Sequence, residues 1–129
     1  MSATLGPYSP VRRAGDWLIT SGQIGLATDA DGTSALVEGG TIPQLRQALE
    51  NVAAVLGTEG VTLGEVVKTT LYLVDMSEFA AVNEVFAEYF TERPTRSAVA
   101  VVALPAGARV ELEAWAYAPV SSLLEPPGR

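Results

Sequence analysis

The stretch Ser97-Ala98-Val99-Ala100-Val101-Val102-Ala103-Leu104 contains a single polar residue, its first, and constrains the fold more than any other in this chain. A strand with one wet face alternates polar and apolar positions, whereas a run that is apolar throughout reads as a strand covered on both faces. The segment from Arg109 to Tyr117 supplies the contrast. Val110, Leu112, Ala114 and Ala116 fall on one side, and Glu111, Glu113, Trp115 and Tyr117 on the other. A sheet is therefore expected in which one strand needs more cover than a single layer of helices provides.

The helices are legible from their period. Between Thr41 and Gly57, the residues Ile42, Leu45, Leu49, Val52 and Leu56 recur at helical spacing, forming one apolar stripe. Thr41 followed by Gln44 has the spacing of a capping box, and Gly57 is a suitable C-terminal stop. Asp75 with Glu78 predicts a second box, opening a helix to about Phe90 with Phe79, Val82, Phe86 and Tyr89 or Phe90 on its buried stripe. Strands are expected at Val11–Ala14, Trp17–Ile24 and Val66–Val74, with a polar turn at Asp29-Ala30-Asp31-Gly32.

The order β-β-α-β-α-β-β gives a two-layer α+β fold, a mixed sheet with both helices on one face. The other face would be too apolar for water, and a subunit interface is the simplest cover. The chain has 129 residues, which suits one domain spanning 1–129, with an irregular tail from about 119 that includes Glu125-Pro126-Pro127-Gly128. Gly6-Pro7 and Ser9-Pro10 mark an irregular start.

The chain has no Cys and no His. Disulfides, thiol nucleophiles, Ser-His triads and imidazole zinc sites are thereby excluded, and no metal or cofactor site is expected. Any general acid or base is a carboxylate, a Tyr, the lone lysine Lys68, or water. The formal net charge of −7 leaves too few cations for a phosphate-binding face, so neither nucleic acid nor an anionic membrane is an expected partner. Met1 to Pro10 has no apolar signal core and no segment reaches the ~20 apolar residues of a membrane span. The expected location is the cytoplasm.

Several segments carry candidate chemistry. Asp29-Ala30-Asp31-Gly32 resembles the opening of a calcium loop, but Gly40 stands where such a loop needs a bidentate Glu, so an exposed turn is expected. Gly22-Gln23-Ile24-Gly25 lacks dinucleotide-loop spacing and reads as a bulge or a close backbone approach, one that would also let a ligand near the backbone. Lys68 reads as an edge or rim lysine. Glu111 and Glu113 point the same way on one strand, which fits either a wet face or a pair of carboxylates with divided roles. Arg96 precedes the apolar run. It fits either a structural ion pair or an anchor whose planar fork takes a substrate carboxylate.

The segments Gly6-Pro7-Tyr8-Ser9, Ser21-Gly22-Gln23-Ile24, Arg46-Gln47-Ala48-Leu49-Glu50-Asn51, Val67-Lys68-Thr69-Thr70, Phe79-Ala80-Ala81-Val82-Asn83, Arg96-Ser97-Ala98-Val99, Leu104-Pro105 and Val110-Glu111-Leu112-Glu113-Ala114 occur in this order. Together they resemble the Rid (YjgF-like) family of reactive-intermediate imine and enamine deaminases. The resemblance implies a chorismate-mutase-like subunit in a homotrimer with ligand clefts between neighbours. It implies hydrolysis of small 2-imino or enamine acids, such as 2-iminopropanoate, to 2-oxo acids and ammonia without a cofactor. Arg96 would bind the substrate carboxylate and Glu111 would position the attacking water. Tyr8, Gly22, Asn83 and the backbone at Ala98 would fall in the substrate pocket, and Glu113 has no implied catalytic role.

Departures from the family pattern bear on the pocket. Ala98 stands where many members have Cys, Gly25 replaces a common Pro, and Phe90 to Thr95 is shorter than usual before the arginine. Trp115 and Tyr117 are further candidates for altering the pocket. Two other functions fit the same residues. One is a pathway-specific imine or enamine hydrolase, and the other a non-catalytic small-ligand or partner-binding protein.

Overall fold

The computed structural model describes residues 4–120. The elements in chain order are β1 (Val11–Ala14), β2 (Trp17–Thr20), β3 (Leu26–Thr28), β4 (Ser34–Leu36), α1 (Thr41–Gly57), β5 (Val66–Leu73), α2 (Phe79–Tyr89), β6 (Thr95–Ala100) and β7 (Val110–Tyr117). Five strands form the main sheet in the order β1-β2-β7-β5-β6, and β3 and β4 form a separate hairpin. Only β5 and β6 are parallel, as expected for strands joined through a helix. The other pairs are antiparallel. This is the two-layer α+β architecture expected from the sequence, with the β3–β4 hairpin added.

One face of the sheet carries the core. Leu112, Ala114 and Ala116 of β7 and Leu71 and Leu73 of β5 are fully buried, and they pack against Leu45, Leu49, Val52 and Leu56 of α1 and Val82 and Phe86 of α2. Burial of this set supplies the main driving force for folding, at about 1.5–3 kcal/mol for each large side chain. The opposite face carries Tyr72 of β5 in register with Glu111, and Thr70 in register with Glu113. At its far end Trp17 packs edge-on against Trp115 and Tyr117, with centroids 6.0 and 5.1 Å away.

Both expected capping boxes are overridden. Gly40 is the N-cap of α1, and no side chain closes it. The hydroxyl of Thr41 instead donates to Glu78 Oε1 and accepts from Arg109 Nε, both at 2.8 Å, while Gln44 Oε1 accepts from the Arg109 backbone N–H. Arg109 also donates to Glu78 Oε1 at 2.8 Å, so Glu78 does not reach back to Asp75. Asp75 caps only a short 3-10 turn, Met76–Glu78, and α2 starts after it. Hydrogen bonds to an ionised arginine are roughly twice as strong as neutral ones, and here they outcompete the local caps.

The expectation for the apolar run is corrected in two respects. The strand ends at Ala100 rather than Leu104, and in one chain it is not covered on both faces. Strand β6 is the sheet edge, with Val99 about 41% exposed and Val102 beyond it fully so. α2 covers part of one side, and among the described residues nothing covers the other. Strand β2 likewise stops at Thr20, and beyond it only Gln23 bridges to Leu112. The Glu125-Pro126-Pro127-Gly128 tail lies outside the described residues.

Candidate functional site

Arg96 lies on the helix-facing side of β6, in register with the buried Thr69. Its guanidinium carbon sits 5.1 Å from the ring centroid of Phe79 and 4.8 Å from that of Phe86, both on α2. These are cation–π distances, and they hold the charge without neutralising it. Among the described residues no carboxylate pairs with Arg96, so the ion-pair alternative has no partner here. Partial burial lowers the proton affinity of the guanidinium from its ordinary value, and the group remains a cation.

The guanidinium faces an open cleft of ≈ 580 Å³, bordered by Asn83, Phe86 and Phe90 on one side and Arg93, Pro94 and Arg96 on the other. Asn83 Oδ1 is buried without a hydrogen-bond partner among the described residues. Buried polar atoms are rarely left so, and this one belongs to a side chain that borders the cleft. Ala98 shares the face of Arg96. Val101 N–H donates inward to Leu73 O at 2.8 Å, and alternation along the strand therefore turns the backbone N–H and C=O of Ala98 to the free edge.

Glu111 occupies the other face of the sheet. With Tyr8, Ser21, Gly22 and Pro105 it surrounds a second open cavity of ≈ 320 Å³. Its carboxyl group lies against Gly22, where a Cβ would come within 2.7 Å of Glu111 Cδ and overlap Oε2. The glycine is thus a close-approach position, and what approaches is a carboxylate of the same chain. Gly25 plays the same part against α1, since its Cβ would meet Gln44 Cα at 2.6 Å. Asn51 locks this segment in place by donating to Ile24 O and Leu26 O at 3.0 and 2.9 Å.

Burial, and secondarily the charge of Glu113, raise the pKa of Glu111. Glu113 accepts a 2.6 Å hydrogen bond from Tyr72 Oη. That bond, with burial and the two glutamate charges, pushes Tyr72 up to about 12. A desolvated carboxyl group beside an occupied one is suited to holding and exchanging a proton with water.

The six expected site residues therefore assemble in two groups. Arg96, Asn83 and Ala98 gather on one face at the sheet edge; Tyr8, Gly22 and Glu111 gather on the other. Of the remaining candidates, Lys68 lies 5.4 Å from the Trp115 ring centroid; its side chain is exposed, but the edge expectation is corrected, because β5 is an inner strand paired with β6 at Thr95 and with β7 at Trp115. Asp29 Oδ1 accepts from the backbone N–H groups of Asp31 and Thr33 at 2.9 Å, which makes the acidic loop an ordinary turn closing the β3–β4 hairpin. Trp115 and Tyr117 line neither cavity. Phe79 and Phe86, expected only as core, also cover the guanidinium; their i, i+7 spacing placed them on one face of α2, and only tertiary packing adds the arginine.

The sequence profile of a family described as endoribonuclease L-PSP matches residues 1–118. This chain belongs to that family, the YjgF/Rid family. A RutC family protein of Pyrococcus horikoshii is 46% identical over 114 residues, covering 88% of each protein. A mouse protein named 2-iminobutanoate/2-iminopropanoate deaminase is 42% identical over 115 residues, covering 88% of this chain and 83% of that one. Among solved structures, RidA of an Antarctic Psychrobacter superposes with a TM-score of 0.81 at 39% identity, covering 90% of this chain and 92% of that one. Escherichia coli TdcF with bound serine also gives 0.81, at 34% identity, with 90% and 91% covered.

The contact between Gly22 and Glu111 in this Rid chain makes a direct prediction. Gly22→Ala is expected to cost about 1–3 kcal/mol in stability by denaturant titration, as overpacking does. A second substitution, Glu111→Ala, should restore most of that loss, because it removes the atoms that the methyl group meets.

Proposed function

We propose that this protein hydrolyses small 2-imino acids and their enamine tautomers to 2-oxo acids and ammonia, in the cytoplasm, at clefts shared between the subunits of a homotrimer. The observation that carries the reading is the guanidinium of Arg96, held against the rings of Phe79 and Phe86 at an open cleft, with no carboxylate partner among the described residues. Relatives at about 40% identity that are named 2-iminobutanoate/2-iminopropanoate deaminase support it.

Arg96 takes the substrate carboxylate in its planar fork, which fixes the C=N carbon relative to the protein. A water held by Glu111 adds to that carbon as the carboxylate accepts a proton from it. That proton passes to nitrogen to give the carbinolamine, whose hydroxyl proton then moves to the amine as the C–N bond breaks, so that C=O forms and ammonia leaves. Nothing is oxidised or reduced, so the reaction itself calls for no redox cofactor. Tyr8 and Gly22 border the water site, and the Asn83 amide oxygen accepts from the imine N–H.

Within one chain Arg96 and Glu111 face opposite sides of the sheet. A cleft containing both therefore takes Arg96 from one copy and Glu111 from another. The exposed apolar edge at Val99 and Val102 supports such an assembly, because an uncovered edge strand is prone to pair or pack. The family's ribonuclease description is not carried to this chain, whose net charge of −7 works against phosphate binding.

The test is direct. 2-Iminopropanoate generated from alanine by an amino acid oxidase should disappear faster in the presence of the protein, and light scattering should give three times the 13.5 kDa chain mass. No acceleration refutes the deaminase reading, and a monomeric mass refutes the shared cleft.

A further inference from the structure

Arg93 borders the same cleft as Arg96 and differs from it in every local respect. It is exposed, it precedes Pro94, and its backbone is left-handed, with φ 53°. Its N–H donates to Phe90 O at 3.2 Å, closing the tight turn that leads from α2 into β6. A left-handed backbone is unfavourable for a residue with a Cβ, and the turn nevertheless holds Arg93 in it at the border of the cleft.

Charge is the second observation. The chain has 15 acidic residues against 8 basic ones, yet among the described residues neither Arg93 nor Arg96 has a carboxylate partner. Arg46 pairs with Glu88 and Arg109 with Glu78; Arg12 and Arg13 also lack a carboxylate partner among the described residues, but neither borders this cleft. Two guanidinium groups thus border one cleft in an otherwise acidic protein. Their α-carbons are at most about 11 Å apart along the chain, and their flexible side chains reach well inside that distance.

We propose that the cleft selects a dianionic substrate, a 2-imino dicarboxylate whose α-carboxylate binds Arg96 and whose distal carboxylate binds Arg93. The proposal rests on the deaminase reading and narrows its substrate class. A monoanion neutralises one arginine and leaves the other facing it unpaired; a dianion neutralises both. Phe86 and Phe90, which border the cleft with the two arginines, offer apolar surface to a short methylene spacer. The chemistry is unchanged: water adds to C=N, ammonia leaves, and the product is a 2-oxo dicarboxylate.

The experiment compares two imines of matched length on the full chain. 2-Iminoglutarate is generated from glutamate by L-glutamate oxidase, and 2-iminopentanoate from norvaline by L-amino acid oxidase. The expected ratio of kcat/KM, dicarboxylate over monocarboxylate, is about tenfold in the native protein, since one charge-assisted contact of this kind is typically worth that much. Arg93→Gln should bring the ratio close to one, mainly through KM, and Arg93→Lys should keep most of it. A native ratio near one, or a ratio that Arg93→Gln leaves unchanged, overturns the proposal. If the native protein hydrolyses neither imine, the deaminase reading fails by itself, and calorimetric binding of 2-oxoglutarate against 2-oxopentanoate decides the two-arginine site. A preference for 2-oxoglutarate that Arg93→Gln abolishes upholds the site, and equal affinity overturns it.

Discussion

Replacing Arg96 by alanine is expected to lower kcat/KM for 2-iminopropanoate by roughly 30- to 1,000-fold, the equivalent of about 2–4 kcal/mol for losing the partner of a bound carboxylate. The loss should appear in KM as well as kcat, because the guanidinium both binds the substrate and sets its orientation. Arg96→Lys should recover only part of it. A lysine keeps the charge but has no planar fork, and its compact ammonium is harder to strip of water between Phe79 and Phe86. Stability should fall by only about 1–2 kcal/mol in Arg96→Ala, since the contacts with Phe79 and Phe86 are lost but no ion pair among the described residues is broken. Steady-state kinetics with denaturant titrations of both variants separate these effects.

Glu111→Gln is expected to lower kcat by about 10²–10⁴-fold, the usual range for a positioned general base, with a much smaller change in KM. The amide keeps the shape of the group and still contacts the water, but it cannot take a proton. In the native protein the rate should fall as the pH drops through the raised pKa of Glu111, because the working form is the carboxylate. The effect on stability has the opposite sense. Burial disfavours the ionised form, so the folded protein binds this proton more tightly than the unfolded chain does. That contribution is fully present below the ordinary carboxylate range and is lost as the pH rises through the raised value. Glu111→Gln should therefore unfold at a higher temperature than the native protein at neutral pH, and the difference should shrink in acid. A thermal melt series from pH 4 to 8 checks the sign.

Much of the framework was legible because it depends on period. The stripe of α1 places the helix at Thr41–Gly57, and the alternation of β7 correctly separates Leu112 and Ala114 from Glu111 and Glu113. The β3–β4 hairpin was not legible, since three-residue strands are too short to show an alternation. The capping boxes failed for a tertiary reason: Thr41, Gln44 and Glu78 all answer to Arg109, which lies far along the chain. The apolar run after Arg96 signalled a need for cover but not that the strand is an edge, because strand order is set by pairing and not by composition. The candidate site residues were named from their motifs. That Arg96 and Glu111 face opposite ways emerges only from the register of β6 and β7 on either side of β5, where Arg96 pairs with Thr69 and Glu111 with Tyr72. Arg93 gave no periodic signal at all; its left-handed backbone and its place at the cleft are properties of the fold.

The central claim is that one functional cleft draws Arg96 from one chain and Glu111 from another, and subunit complementation tests it most directly. Arg96→Ala and Glu111→Gln chains, each nearly inactive alone, are unfolded, mixed in equal amounts and refolded together. In a closed ring of three, a cleft regains both groups only when its Arg96 comes from the Glu111→Gln chain and its Glu111 from the Arg96→Ala chain. Random assembly then predicts recovery of about a quarter of native activity. Mixed trimers that remain as inactive as either variant alone would contradict the shared cleft and place both groups in a site built by a single chain.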